Sequence, residues 1–213
     1  MTSGVLSENA TEKLKNAKIF IAGCGGLGGF VIDGLARTGA NNLTLCDGDT
    51  FDESNLNRQI FCDRSGIGRG KAAYTAEKLP ERERYIDIRV TVLDARLNED
   101  NAERLIGDAD IVFDCVDNIR TKLLLESVCL DKGIPLIHGG VERWSGQAGI
   151  IFKPTLKKLY AGRANEGRKN IYFTVANIAS LQLALYAAYL EGDTADKLLA
   201  VDLRTGDVVR LGS

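Results

Sequence analysis

The stretch KIFIAGCGGLGGFVIDGLARTG, residues 18–39, decides the fold class. It opens with an apolar run typical of a buried strand and passes through a cluster of glycines. It then places apolar residues at helical spacing and stops at Gly39, a common helix C-terminal signal. A strand, a glycine turn and a helix in this order form the unit from which nucleotide-binding α/β sheets are built.

The glycines of this stretch have the spacing of a nucleotide-binding turn. Gly23, Gly25 and Gly28 form G-x-G-x-x-G between the strand and the helix. The first permits the tight turn, the second lets phosphates approach the backbone, and the third allows close packing of helix on strand. Asp47 ends the next strand, where a carboxylate can accept both ribose hydroxyls. The sequence therefore predicts a nucleotide site; the alternative is a turn whose glycines serve packing alone.

Strand and helix signals alternate along the first two thirds of the chain. Further strands are predicted at 42–47, 87–93 and 109–115, and further helices at 68–79, 98–107 and 120–133. This order predicts a Rossmann-like, doubly wound and mostly parallel sheet that binds ligands at the carboxyl ends of its strands.

The last third departs from that rhythm and predicts antiparallel strands. One hairpin is expected over 134–152 around Ser145–Gly146, and a terminal one over 198–211 that turns at Thr205–Gly206. A loop at 153–170 and an apolar helix at 172–190 lie between them. We expect a single domain over 1–213, with a nucleotide-binding part at about 10–133 and the remainder at about 134–213.

Composition narrows the possible partners. The 213 residues carry a net charge of −2, so the overall charge of the chain does not favour binding to nucleic acid. The polar N-terminus and the lack of a run of about 18 apolar residues favour a cytoplasmic protein without a membrane segment. Five cysteines are widely spaced without a C-x-x-C pair, which excludes a disulfide framework and a cysteine zinc site. Only Cys62 lies in a polar stretch, where a redox role is the alternative to burial.

The segment FDESNLNRQ, residues 51–59, is more polar than a dinucleotide site requires. Asn55 and Arg58, followed by Lys71, could neutralise the oxygens of a triphosphate as pyrophosphate leaves. The alternative is a solvated polar loop with a helix N-cap.

A second polar cluster, DCVDN at 114–118, follows the strand at 109–115. Asp117 could hold a magnesium ion, which prefers one or two carboxylates with water and phosphate. The alternative is that Asp117 caps the next helix. The only histidine, His138, either lines the crevice or makes a structural hydrogen bond, and we favour the second.

Together, GCGGLGG at 23–29, DGDTFDESNLNRQ at 47–59, GRGKA around Lys71 and DCVDN resemble the ThiF/MoeB/HesA family, prokaryotic relatives of ubiquitin-activating enzymes. Members adenylate the C-terminal carboxylate of a small ubiquitin-like carrier ending in Gly-Gly, using Mg-ATP and releasing pyrophosphate. The resemblance implies a short ThiF-like adenylyltransferase that acts, as a homodimer, on a ThiS-like or MoaD-like sulfur carrier for thiamine or molybdopterin.

The resemblance also implies roles for individual residues. Catalysis would involve Arg58, Lys71 and Asp117, with Asp117 on magnesium; ATP would be bound by Gly23, Gly25, Gly26, Gly28, Asp47, Asn55, Arg58, Lys71 and Asn118. Longer family members carry two zinc-binding C-x-x-C pairs and often a catalytic cysteine, whereas residues 130–213 here contain no cysteine. We therefore expect carboxylate activation without a zinc ion or a thioester.

Other interpretations remain open from the sequence. The same fold could activate a small molecule or a tRNA base, or the chain could be an NAD-binding oxidoreductase or a non-catalytic nucleotide-binding module. The loop at 153–170 has six basic residues against Glu166 and is expected either to clamp the carrier tail or the triphosphate, or to be solvated. The helix at 172–190 is expected in the core, or partly against a second subunit that would partner Gln182.

Overall fold

The computed structural model describes residues 5–82, 88–163 and 170–211. Its elements in chain order are α1 (Glu8–Asn16), β1 (Lys18–Ala22), α2 (Gly26–Thr38), β2 (Asn42–Cys46), a 3₁₀ turn (Glu53–Asn55), α3 (Lys71–Arg82), β3 (Arg89–Leu93), α4 (Ala102–Ile106), β4 (Ile111–Asp114), α5 (Ile119–Lys132), β5 (Leu136–Glu142), β6 (Ser145–Ile151), α6 (Leu156–Leu159), α7 (Tyr172–Leu190), β7 (Lys197–Asp202) and β8 (Asp207–Arg210). The predicted α/β class is confirmed.

The strands form one eight-stranded sheet in the order β3-β2-β1-β4-β5-β6-β7-β8. Strands β1 to β5 are parallel, and β6 to β8 continue the sheet antiparallel, as the sequence predicts. The chain builds outward from β1 to β3 and then returns to place β4 on the other side of β1. The carboxyl ends of β1 and β4 therefore flank the switch point, where doubly wound sheets open a crevice.

Two apolar layers cover the sheet, one on each face. Successive residues of β1 point to opposite faces, so Ile19 and Ile21 join one buried cluster while Phe20 and Ala22 join the other. Helices α1, α2, α3 and α7 contribute to the first cluster, and α4, α5 and α6 to the second. The sheet is thus a buried middle layer, and the strand ends at its rim are left to carry polar groups.

The two hairpins compare differently with prediction. The terminal hairpin turns at Thr205–Gly206 as predicted, and Gly206 has the left-handed φ of 84°. For the first hairpin, the small residues Ser145 and Gly146 predict a turn two residues later than the observed one. Both residues already belong to β6, and the turn lies at Arg143–Trp144, where Arg143 has φ 55°. Pairing of Glu142 with Ser145 fixes this two-residue turn.

The predicted loop at 153–170 contains a short helix. Residues Leu156–Leu159 form α6. The backbone amides at its N-terminus donate hydrogen bonds to the carboxylate of a glutamate on α5, a long-range contact that the local sequence does not reveal. Arg168, Lys169 and Glu166 of this predicted loop lie outside the described residues, so its charge balance stays a prediction.

Helix α7 is the one described helix long and apolar enough to cross a membrane by length and composition. In this fold it packs against α2, β5 and β6, with Val175, Ile178 and Ala179 buried. Gln182 is fully buried in its own chain. Its Nε2 donates to the carbonyls of Asp114 and Ile137 at 3.1 Å each. Gln182 thus lies in the core of its own chain, as we expect for this helix, although its Oε1 has no hydrogen-bond partner among the described residues; the second subunit stays a prediction.

Candidate nucleotide site

A cavity of about 350 Å³ opens at the carboxyl ends of β1, β2 and β4. It brings together eight of the ten predicted site residues: Gly23, Gly25, Gly26, Asp47, Arg58, Lys71, Asp117 and Asn118. The other two, Gly28 and Asn55, do not line it. Residues distant in sequence thus converge on one space between the glycine turn and the end of β4.

The glycine turn leaves little room for side chains. A Cβ at Gly28 would lie 1.8 Å from the carbonyl oxygen of Gly23, so Gly28 serves helix–strand packing. Gly23 has φ 93°, and a Cβ there would lie 2.9 Å from the oxygen of Cys115. Gly25 differs, since the nearest atoms to its Cβ position belong to the Gln59 side chain at 3.6 Å or more. Gly25 therefore leaves open the N-terminus of α2, whose unpaired amides attract anions.

Asp47 connects this turn to the end of β2. One carboxylate oxygen accepts from the amide of Cys24 at 2.7 Å, and the other accepts from that of Asp49 at 2.8 Å. Burial raises the pKa of Asp47, although these two hydrogen bonds oppose the rise. Each oxygen keeps a lone pair, so the pair of oxygens can still accept two ribose hydroxyls.

The polar segment after β2 is organised by a capping box. Asp52 accepts from the amide of Ser54, and Asn55 Oδ1 accepts from the amide of Asp52 at 3.2 Å. Asn55 is buried and used in this local structure, which explains why it does not line the cavity. Asn55 therefore takes part in helix capping, the alternative that the sequence left open for this segment. Arg58 and Lys71, in contrast, line the cavity.

Arg58 is anchored on one side only. Its Nη1 donates to the carbonyl of Ser54 at 2.9 Å and to Asn57 Oδ1 at 2.8 Å. No acceptor within the described ranges contacts Nε or Nη2. The guanidinium is therefore fixed in place with donors left for an anionic ligand.

A carboxylate that the sequence reasoning missed balances two cations of the site. Asp49 lies 3.5 Å from Nζ of Lys71, which is buried at the start of α3, and 2.6 Å from Nη2 of Arg96. Arg96 follows β3, the third parallel strand whose carboxyl end reaches this rim. The position of Arg96 after a predicted strand was the available signal, because parallel strands bring their carboxyl ends to one edge.

Asp117 and Asn118, which both follow β4, differ in their contacts. Asn118 caps α5, since its Oδ1 accepts from the amide of Thr121 at 2.8 Å. Asp117 is exposed in the cavity, and no hydrogen bond or ion pair to it occurs in the described part of the chain. The capping alternative for Asp117 is therefore wrong.

The chemistry of this site fits magnesium rather than a metal held by protein ligands alone. Over residues 5–82, 88–163 and 170–211, no group of three or more His, Cys, Asp or Glu could hold a metal ion. Magnesium needs only one or two carboxylates when substrate phosphates and water supply the remaining oxygens. Asp117, whose carboxylate is free in the cavity that Arg58 and Lys71 also line, meets that requirement.

A buried charged network lies behind the wall of the cavity, and sequence reasoning found only part of it. Asp114 accepts from Nζ of Lys122 at 3.0 and 3.2 Å and bonds Nδ1 of His138 at 2.6 Å. Lys122 also donates to the carbonyl of Gly139 at 2.6 Å. Asp114 and His138 have no exposed surface, which confirms the structural interpretation of His138.

The network holds His138 neutral. Burial lowers the pKa of His138 despite the carboxylate beside it. Burial alone would raise the pKa of Asp114, but Lys122 and the hydrogen bond to His138 hold it below its usual range. Nδ1 therefore donates to Asp114, and Nε2 accepts from the hydroxyl of Tyr160 at 3.2 Å.

All five cysteines are buried and unpaired, including Cys62. Burial raises the pKa of each thiol, so at neutral pH they are protonated and weakly nucleophilic. This favours the interpretation of Cys62 as a buried small side chain.

Comparison with known proteins shows the family of this chain. The model of the ThiF family matches residues 1–209. The chain belongs to the ThiF family. The SAMP-activating enzyme E1 of Haloferax volcanii is 35% identical over 136 residues, covering 64% of this chain and 50% of that protein. The adenylyltransferase and sulfurtransferase MOCS3 of Caenorhabditis briggsae is 30% identical over 209 residues, covering 92% of this chain and 52% of that protein.

A third relative is the molybdopterin-synthase adenylyltransferase of Haemophilus influenzae, 33% identical over 160 residues, which cover 75% of this chain and 65% of that protein. The chain spans about half the length of the first two relatives. Among solved structures, the Escherichia coli MccB complex with ATP superposes with a TM-score of 0.79 at 22% identity, over 95% of this ThiF-family chain and 65% of MccB. At that identity the likeness shows the fold alone.

Proposed function

We propose that this ThiF-family chain is an ATP-dependent adenylyltransferase that activates the C-terminal carboxylate of a small ubiquitin-like carrier ending in Gly-Gly. The observation that carries the proposal is the single cavity that unites a nucleoside end, formed by Gly25 and Asp47, with Arg58, Lys71 and Asp117. The first pair suits any nucleotide. The second group supplies the cations and the free carboxylate that a magnesium triphosphate requires.

The names of the relatives support a sulfur carrier of the molybdopterin or SAMP type. Relatives at 30–35% identity are named for molybdopterin synthase, for SAMP and for combined adenylyl and sulfur transfer. We therefore extend the proposal to a MoaD-like or SAMP-like carrier ahead of the ThiS-like carrier of thiamine synthesis. A homodimer, a cytoplasmic location and activation without zinc or an enzyme thioester remain predictions.

The residues of the site provide charge neutralisation and positioning rather than proton transfer. A carrier carboxylate oxygen bonds to the α-phosphorus while the bond to the leaving pyrophosphate breaks, so two anions must meet. Asp47 would hold the ribose, and the free donors of Arg58 together with buried Lys71 would neutralise phosphate oxygens. Asp117 would hold a magnesium ion, which would supply further positive charge to the phosphates. No proton moves in this step, which is why a buried, neutral His138 is compatible with it.

The proposal is tested by carrier-dependent exchange of pyrophosphate into ATP. With a Gly-Gly-ended carrier, Arg58→Ala and Asp117→Asn should each lower the exchange rate about 100-fold or more, since each removes charge that stabilises the transition state. Arg64→Ala and Asp131→Asn are matched controls, because both side chains are exposed and neither lines the cavity. A carrier without its last two glycines should give no exchange.

Three outcomes would remove this function. Exchange that survives both site variants contradicts the assigned residues. Exchange that proceeds with a small molecule or a tRNA and no carrier points to the other substrates this fold could activate. Binding of NADH in place of ATP in a titration points to an oxidoreductase.

The predicted clamp by the segment at 153–170 is a separate part of the proposal. Its described basic residues include exposed Lys157 and Lys158 on α6. Neutralising all six basic residues between 153 and 170 should weaken carrier binding in the exchange assay. An unchanged carrier dependence would leave this segment as a solvated connection.

A further inference from the structure

Helix α6 is too short to hold its own position. It has four residues, Leu156–Leu159, and helices of this length are not stable without tertiary contacts. It belongs to the connecting segment, which we define as residues 153–163 after β6. Farther along the chain, Asn170 returns to the cavity wall and bridges to Arg143 of the first hairpin turn. The placement of α6 therefore depends on what anchors it.

The N-terminal anchor of α6 is a buried carboxylate. Glu126 on α5 is 5% exposed, and its Oε1 accepts from the amides of Thr155 at 2.6 Å and Leu156 at 2.7 Å. These are the amides that a helix leaves unpaired at its start. Leu156 beside them is fully buried.

The C-terminal anchor is the hydroxyl of Tyr160. Tyr160 is 4% exposed; its hydroxyl accepts from Nε2 of Gln147 at 2.6 Å and donates to Nε2 of His138, 3.2 Å away. His138 in turn bonds Asp114, which accepts from Nζ of Lys122, a residue that lines the cavity. A continuous line of hydrogen bonds thus joins the end of α6 to the cavity wall.

Every polar group in this line has a partner, which makes the line sensitive to a single deletion. Lys122 uses its three donor hydrogens on the two oxygens of Asp114 and the carbonyl of Gly139. Neutral His138 uses one ring nitrogen as donor and the other as acceptor. Removing the Tyr160 hydroxyl would leave Nε2 of His138 and Nε2 of Gln147 unpaired in a buried place.

We propose that Tyr160 is a positioning residue that holds the connecting segment in place through His138 and Asp114, which Lys122 joins to the wall of the nucleotide cavity, and that this hold governs carrier binding rather than ATP binding. The carrier part rests on the proposed function. The atoms in contact with the cavity belong to Cys115 and Lys122, which keep their own bonds when Tyr160 is changed. The segment on the far side of Tyr160 loses its anchor.

Limited trypsin cleavage tests the hold without any assumption about function. In Tyr160→Phe, cleavage after Lys157 and Lys158 should be about fivefold to tenfold faster than in the unchanged protein, because a lost buried hydrogen bond favours local opening. Cleavage after Lys132, at the end of α5, should keep its rate and so excludes global destabilisation. Tyr189→Phe is the matched control, since Tyr189 packs on Phe152 outside the network. Equal cleavage of α6 in Tyr160→Phe and the unchanged protein overturns the proposal.

Carrier-dependent exchange of pyrophosphate into ATP tests the second part of the proposal, the role of Tyr160 in carrier binding. Tyr160→Phe should raise the KM for the carrier about fivefold while the Kd for ATP and the kcat at saturating carrier stay unchanged. An unchanged carrier KM, or a loss confined to ATP binding, overturns the role in carrier binding. If the unchanged protein shows no exchange with any carrier, the proposed function fails, and the cleavage rates still decide whether Tyr160 holds the segment.

Discussion

The nucleotide half, residues 18–133, and the half after it are held together in different ways. In the nucleotide half, the glycine turn and the polar segment after β2 are built by nearby residues: Gly28 packs on Gly23, and Asp52 and Asn55 cap each other. In the later half, His138 and Gln182 are both fixed by Asp114, 24 and 68 residues away. Local motifs therefore shape these two segments of the nucleotide half, whereas long-range polar contacts place His138 and Gln182 in the half proposed to handle the carrier.

The largest expected effect on stability concerns the glycine turn, which is built by local contacts. Gly28→Ala puts a Cβ 1.8 Å from a backbone oxygen, which cannot be relieved by a side-chain rotation. We expect a loss of about 4 kcal/mol or more in the free energy of unfolding, measured by urea denaturation, together with loss of ATP binding.

Gly25→Ala is the matched control for this change. Its Cβ meets only the Gln59 side chain at 3.6 Å or more, so stability should stay close to that of the unchanged protein. ATP binding should still weaken, because the methyl group faces the space where phosphates approach the helix terminus. Similar stabilities for the two variants would show that the turn is not held by close packing.

The second prediction tests the long-range side. Lys122→Met removes the buried cation and leaves Asp114 with one polar partner fewer in a dry environment. We expect the free energy of unfolding to fall by about 3–5 kcal/mol. Lys132→Met, on the exposed end of the same helix, should have little effect. Asp114→Asn combined with Lys122→Met should recover part of the loss, because no unpaired charge remains; a loss below about 1 kcal/mol for Lys122→Met alone would contradict the network.

The same contrast explains how much was predictable from sequence. The alternation of strands and helices in the first half, the glycine turn and the convergence of Asp47, Arg58, Lys71 and Asp117 follow from local signals and from the rule that parallel strands share a ligand edge. Asn55, which the resemblance assigns to the nucleotide, forms a capping box with Asp52 and does not line the cavity, because an asparagine three residues after Asp52 can serve either purpose.

The features that the sequence does not predict concern contacts across the sheet. The partners of Gln182 belong to β4 and β5, and no pattern within α7 identifies them. The sequence predicts a loop where α6 lies, because the carboxylate that stabilises this helix, Glu126, is 30 residues earlier in the chain. Asp114 and Lys122 are only eight residues apart in sequence. That this ion pair is buried cannot be predicted locally, because its other partners, His138 and Gly139, belong to β5.

The smallest expected effect separates a local surface contact from the buried network. Asp63, in the loop before α3, accepts from Tyr74 Oη at 2.6 Å, Ser65 Oγ at 2.7 Å and the amide of Gly66 at 2.9 Å. These hydrogen bonds lower the pKa of Asp63 to about 2. A carboxyl group whose pKa is lower in the folded state stabilises the fold above its unfolded pKa of about 3.9 and loses that contribution as the pH falls through about 2.

Removing the first of these donors should make the pH dependence shallower. Tyr74→Phe keeps the buried ring and should lower the free energy of unfolding at pH 6 by about 0.5–1 kcal/mol, since Asp63 is exposed and water replaces part of the lost bond. The difference from the unchanged protein should shrink between pH 4 and pH 2, measured by urea denaturation at each pH. Tyr189→Phe should show no such convergence. A Tyr74→Phe deficit that stays constant down to pH 2 would mean that the ring contacts, rather than the ionised carboxylate, carry the stabilisation in this loop.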